Sequence, residues 1–192
     1  MPRHKAFVRE EALERAMDLF WAKGYEAASL QELVKHMGIG RSSLYDTFGS
    51  KHELWAEALS LYGRRMQELM LAPLRGDGSP RERIAKLFAG VIERKSSGEL
   101  PSCLLMKALL TTGEHCEDTA ECARASVAKL EQELCAVLHE ARQAGELGSK
   151  ESPERLARVL VALLHGLGVS ASVDCNPERL TDISELALAL LD

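Results

Sequence analysis

Six polar residues crowd a short stretch of the chain: Arg41, Ser42, Ser43, Tyr45, Asp46 and Thr47, between a Gly38-Ile39-Gly40 turn and a glycine at 49. Their types suit the edges and backbone of duplex DNA. Arg41 can donate two hydrogen bonds to a guanine edge, Asp46 can accept from a cytosine amino group, and Thr47 can touch a thymine methyl. Ser42, Ser43 and Tyr45 carry hydroxyls that can reach phosphates. Lys51 stands just inside the start of the next helix, where the macrodipole disfavours a cation, so an anionic partner is expected there.

No comparable set supports enzyme chemistry. A nucleophile needs a base held by an orienting third group, and no such triad can be read, so no catalytic residue is assigned. The five cysteines, at 103, 116, 122, 135 and 175, are odd in number and form no CxxC pair, which argues against a disulfide framework. His115, Cys116 and Cys122 make a loose soft-ligand cluster without a recognised metal spacing. No metal and no cofactor are expected.

Stepping from these residues to what must hold them, the chain reads as all-α, with about nine helices and no strand. The first runs from about Phe7 to Lys23, with Ala12, Ala16, Met17, Phe20 and Trp21 at helical spacing and Gly24 as a left-handed cap. Ser29 to Glu32 is a capping box opening a short helix to His36 that buries Leu30, Leu33, Val34 and Met37. A third helix spans Arg41 to Phe48, with Leu44 and Phe48 inward. Ser50 to Glu53 is a second box, opening a helix that ends before Pro73. Ser79-Pro80, Ser152-Pro153 and Asn176-Pro177 each pair a cap with a proline at the first helical position, opening the fifth, eighth and ninth helices. The sixth covers about Ser102 to Thr111 and the seventh about Asp118 to Ala144.

The net charge is −5, from 24 basic and 29 acidic residues. It is uneven: residues 1 to 51 hold eight basic and seven acidic groups, leaving +1 there and −6 on the remainder. Such a reader binds DNA weakly alone, because phosphate contacts dominate affinity, and dimerisation would help. No apolar run reaches the ~18–20 residues of a membrane span; the closest, Val159 to Val173, is interrupted by His165, Gly166 and Gly168. The charged start Met1-Pro-Arg-His-Lys is unlike a signal peptide. A cytoplasmic protein with no membrane partner is expected.

Residues 29 to 54, Ser-Leu-Gln-Glu-Leu-Val-Lys-His-Met-Gly-Ile-Gly-Arg-Ser-Ser-Leu-Tyr-Asp-Thr-Phe-Gly-Ser-Lys-His-Glu-Leu, closely resemble the DNA-binding signature of the TetR family of regulators. The resemblance extends back through Ala12, Ala16, Phe20 and the Gly24-Tyr25 pair. It implies that Arg41, Ser42, Ser43, Asp46 and Thr47 form the face of a recognition helix. Tyr45 and Lys51 then match the family's phosphate anchors, and Ser29 and Gln31 on the supporting helix also approach DNA. Gly40 departs from the Ser or Thr common in the family, and glycine is an acceptable cap there.

The resemblance further implies a helix-turn-helix domain over residues 1–50 and a helical ligand-binding and dimerisation domain over 51–192. The implied function is a ligand-responsive transcriptional regulator, a repressor released from a palindromic operator by an unidentified small molecule. The last two helices would form the homodimer through Leu156, Leu160, Leu163, Leu167, Ile183, Leu186 and Leu190. The apolar effector pocket is expected among helices four to seven, lined by Cys103, Leu105, Met106, Leu109 and Leu110. Ser102-Cys103-Leu104-Leu105 also resembles a Gly-Cys-Leu-Leu segment of one subgroup, some of whose members sense electrophiles or oxidants. Cys103 is therefore either a reactive thiol near a helix start or a small hydrophobe in the pocket wall.

Overall fold

A computed structural model of the chain describes residues 7–98, 103–111 and 117–192. Among them are nine helices and no strand: α1 (Arg9–Lys23), α2 (Leu30–Met37), α3 (Arg41–Phe48), α4 (Lys51–Arg75), α5 (Pro80–Ser96), α6 (Leu104–Thr111), α7 (Glu117–Gln143), α8 (Pro153–Val173) and α9 (Pro177–Ala189). The all-α expectation holds. The His115 and Cys116 part of the loose soft-ligand cluster lies outside the described residues.

The helix starts are chemical. At α2 the Ser29 hydroxyl accepts from the Glu32 N–H while the Glu32 carboxylate accepts from the Ser29 N–H, satisfying two orphan donors at once. Ser79 and Glu82 repeat the arrangement at α5, and the carboxamide oxygen of Asn176 accepts from two N–H groups of α9. The box expected at α4 is half made. Ser50 Oγ accepts from Glu53 N at 3.1 Å, but the Ser50 N–H donates to Phe48 O.

Three other expectations are corrected. Gly24 has a positive φ of 84° but a ψ of 169°, outside the left-handed helical well. Pro73 does not end α4, which continues to Arg75. Proline within a helix loses a hydrogen bond and crowds the preceding turn, but Leu71 and Leu74 on either side are buried, and Arg83 Nη1 donates to the Leu74 carbonyl at 2.9 Å. Packing and this cap hold the last turn. Helix α8 is long and apolar enough, by length and composition alone, to cross a membrane, because His165 and the two glycines interrupt its charge-free run without making it polar. Its Leu156, Leu160, Leu164 and Leu167 lie instead in a core.

By compactness the chain divides into one unit of Met1–Arg65 with Leu104–Ala123 and another of Met66–Cys103 with Arg124–Asp192. In the first, α1 packs on α2 and α2 on α3 around buried Phe20, Leu33, Met37, Leu44 and Phe48. Each such side chain contributes roughly 1.5–3 kcal/mol on burial. Trp55 from α4 completes this core, edge-on to Phe20 with ring centroids 5.0 Å apart. In the second, α5 packs on both α8 and α9, and α8 on α9, around Ile84, Leu87, Phe88, Leu134 and Leu138.

Candidate nucleic-acid interface

The turn between α2 and α3 depends on two different glycines. Gly38 sits in the left-handed region at φ 70°, ψ 28°, and its N–H closes α2 on Val34 O. Gly40 is the N-cap of α3 with an ordinary φ of −75°. Behind the turn, Leu44 and Phe48 anchor α3 by their burial. Arg9 fastens the same element. Its guanidinium grips both oxygens of Glu57 on α4, at 2.8 and 2.6 Å, and lies 4.9 Å from the centre of the Phe48 ring.

With one side of α3 fixed inward, the other must face out. Arg41, Ser42, Tyr45 and Asp46 are exposed, and Ser43 and Thr47 half-buried. The Arg41 guanidinium lies 5.9 Å from the centre of the Tyr45 ring, one turn along, which pairs a base-reading group with an aromatic hydroxyl. No acid occupies the first turn of α3, where N–H groups lack intrahelical acceptors and favour an anion. The Thr47 hydroxyl is buried with no hydrogen-bond partner among the described residues, so it is directed inward.

On α2, Gln31 is exposed, while the Ser29 hydroxyl is held by Glu32, to which it donates at 2.8 Å. Hydrogen bonds from Lys23 first, then from Ser29, lower the Glu32 carboxyl from the ordinary 4.5 to about 2. Lys51, half-buried, places its ammonium 4.4 Å from the centre of the Tyr25 ring. Tyr25 packs in turn against Trp55, with the rings tilted at 46° and 5.5 Å between centroids. Sequence reasoning quoted Tyr25 without a role. The structure gives it one, as the platform under Lys51, and the contact was illegible because 26 positions separate the two in sequence.

The expected pocket residues differ in exposure. Leu105 is buried, Met106 and Leu109 are each 37% exposed, Cys103 is exposed and precedes α6 rather than opening it, and the Leu110 side chain lies outside the described residues. A cavity of about 300 Å³ lies between α4 and the start of α7, lined by Ala56, Leu59, Ser60, Glu121 and Cys122. Burial raises the Cys122 thiol pKa.

The leucines expected at a subunit interface divide. Leu156, Leu160 and Leu167 are buried within the chain's own core, and Leu163 and Ile183 are packed against it. Burial in the core takes up Leu156, Leu160 and Leu167, while Leu163 and Ile183 keep part of their surface exposed. The outward apolar residues are Val159, Val169 and Val173 on α8, and Leu186 and Leu190 on α9, with Leu186 72% exposed.

Matches to known proteins agree with this geometry along the whole chain. Residues 12–58 match the N-terminal model described as bacterial regulatory proteins, tetR family, and residues 80–192 match the C-terminal domain of BetI-type transcriptional repressors. The chain belongs to the TetR family. Among its relatives in that family is the HTH-type transcriptional regulator YezE of Bacillus subtilis strain 168, 31% identical over the full length of both chains. The HTH-type transcriptional repressor ComR of Escherichia coli strain K12 is 30% identical, covering 98% of this chain and 90% of ComR. A cysteine mutant of the TetR family regulator CifR, solved with a 26-bp double-strand operator DNA, is 35% identical and superposes with a TM-score of 0.86 over 99% of this chain and 100% of that one. This TetR-family chain is a DNA-binding transcriptional regulator with the family's helix-turn-helix in α2 and α3.

Proposed function

We propose that this regulator is a homodimeric repressor that reads an inverted-repeat operator through α3 and leaves it when a small molecule binds. The observation that carries the reading is the outward polar face of α3, with Arg41, Ser42, Tyr45 and Asp46 exposed beside Lys51, in a chain 35% identical to a regulator solved on operator DNA. Arg41 reads a base pair, Tyr45 and Lys51 bind phosphates, and Ser42, Ser43 and Gln31 make supporting polar contacts. Ser29 acts mainly by capping its helix. The relatives are regulators, not enzymes, and the same is inferred for this chain, working in the cytoplasm where its operator is accessible.

A second copy suits the outward faces of α8 and α9. On α8 the exposed positions Val159, Ala162, Gly166, Val169 and Val173 follow one another by three and four residues, the spacing of a helix–helix seam. Leu186 and Leu190 continue the pattern on α9. Functionally the chain then divides at about residue 50, with a reader before it and an effector and dimer body over 51–192. An effector in the α4–α7 cavity would press on Ala56 and Leu59, within three turns of Lys51. The volume is at the lower end of small-molecule sites. Coupling of ~1–3 kcal/mol would change DNA affinity 5–150-fold.

One observation favours a second route of release, through thiols. Burial lowers the Lys95 ammonium pKa, while the Cys103 and Cys175 thiols act on it in the opposite direction. Both cysteines are exposed and within electrostatic reach of this lysine, where a solvent-borne electrophile or oxidant can meet a thiol.

Selection of bound duplexes from a random library tests the main reading. The expected product is an inverted repeat whose half-site centres lie one helical turn, ~34–36 Å, or a multiple of it apart. Enrichment of no motif, or of a single unrepeated half-site, would oppose it. Operator release by an electrophile that is equal in wild type and Cys103→Ser would remove the thiol route.

A further inference from the structure

We propose that Cys135, His139 and Glu154 form a binding site for a zinc-class divalent ion, clasping α7 to the first turn of α8. Cys135 and His139 are four residues apart on α7 and therefore share a face. Glu154 comes from the neighbouring helix. Their ligand atoms, Sγ, a ring nitrogen and a carboxylate oxygen, all lie within 4.8 Å of one another, and His139 Nε2 is 2.9 Å from Glu154 Oε1.

A tetrahedral zinc ion takes sulfur at ~2.3 Å, nitrogen at ~2.0–2.1 Å and oxygen at ~2.0–2.2 Å, so its ligand atoms stand roughly 3.4–3.6 Å apart. The histidine–carboxylate spacing of 2.9 Å lies just below that value, and all three ligand atoms lie within 4.8 Å of one another. Small side-chain rotations therefore complete the site, opening the histidine–carboxylate pair by less than an ångström and drawing the thiol inward. The ion takes the place of the direct His139 Nε2–Glu154 Oε1 contact.

The surroundings favour a cation. Cys135 packs against the core of its unit, and burial, with the charges of Glu154 and Glu131, pushes its thiol pKa up, opposed by Arg158. These carboxylates repel a bare thiolate, and a divalent ion removes the repulsion. Binding then releases the thiol proton to solvent. Glu131 lies one turn before Cys135 on α7, near enough to act on the thiol, and its contact with Arg158 is a loose 3.4 Å. The fourth position falls to Glu131 or to water. A sulfur, nitrogen and oxygen trio selects zinc and similar borderline ions over magnesium and calcium, which prefer all-oxygen sets.

The Cys-x-x-x-His spacing is visible in the sequence, but its third ligand is supplied only by the packing of α8 on α7. The site is independent of the DNA reader, so its failure leaves the proposed function untouched.

Cobalt(II), alone, titrated into the reduced full-length protein tests the proposal. One equivalent per chain should produce a thiolate-to-cobalt charge-transfer band in the near ultraviolet, abolished by zinc(II) and unaffected by excess magnesium or calcium. Cys135→Ser should lose the band, while His139→Ala and Glu154→Gln should each weaken binding by about tenfold or more. Cys175→Ser should bind as wild type, and circular dichroism should report each variant folded. No band in wild type, a full band in Cys135→Ser, or wild-type affinity in both His139→Ala and Glu154→Gln would overturn the assignment.

Discussion

At the turn leading into α3, two glycines two positions apart have opposite sensitivities. Gly38, at φ 70°, would give any added Cβ both a strained backbone and a 3.1 Å approach to Arg15 Nη1. Gly40, at φ −75°, has room: its nearest outside atom is Ser43 Oγ at 3.8 Å. Gly38→Ala should therefore destabilise by roughly 1–2 kcal/mol, lowering Tm by about 2–8 °C in a chain of this length. Gly40→Ser should raise stability by a few tenths of a kcal/mol through a new side-chain cap. Thermal unfolding of both variants checks the contrast, and equal effects would contradict the backbone assignment. The residue types of the reader were legible because polarity and spacing alone mark Arg41 to Thr47. The inward Thr47 hydroxyl and the Tyr25 platform were not, since both depend on how α3 and α4 pack.

Among the elements, α2 is sensitive to acid. Its capping box and the Lys23 ion pair act through the charged form of Glu32, whose carboxyl is lowered to about 2 from 4.5. The folded state thus holds this proton less tightly than the unfolded chain, and the stabilisation is present above pH 4.5 and lost as pH falls towards 2. Stability of wild type and Glu32→Gln, measured by denaturant unfolding at several pH values, should differ above pH 4.5 and converge as the pH approaches 2. A constant difference would show that the contact does not depend on charge. His165 adds a trend of the same sign, since burial lowers its pKa and stability falls as pH drops below the ordinary 6.5. Helix starts were readable from cap residues such as Ser29, Ser79, Ser152 and Asn176. The end of α4 was not, because Leu71, Leu74 and Arg83 override the local preference of Pro73.

For the whole molecule, the family resemblance assigned the last two helices to a homodimer, but could not tell which of their sides the chain covers itself. Packing assigns Leu156, Leu160 and Leu167 inward and leaves Val159, Val169, Val173, Leu186 and Leu190 outward. Charged replacements at Val169 and Leu186 together should therefore yield folded monomers in sedimentation, whereas a charge at Leu163, which packs against the core, should damage folding. A fully dimeric Val169→Glu/Leu186→Glu protein would move the interface elsewhere. The central claim is that α3 and the start of α4 read DNA with separable roles, and anisotropy titration of a selected operator and a scrambled duplex over about 50–200 mM salt tests it most directly. Wild type should bind both in a salt-dependent way and prefer the operator. Lys51→Ala should weaken both and reduce the salt slope by about one. Arg41→Ala should mainly lose operator preference, by ~1–3 kcal/mol. Salt-independent binding by wild type, or identical losses on both duplexes in the two variants, would contradict the account.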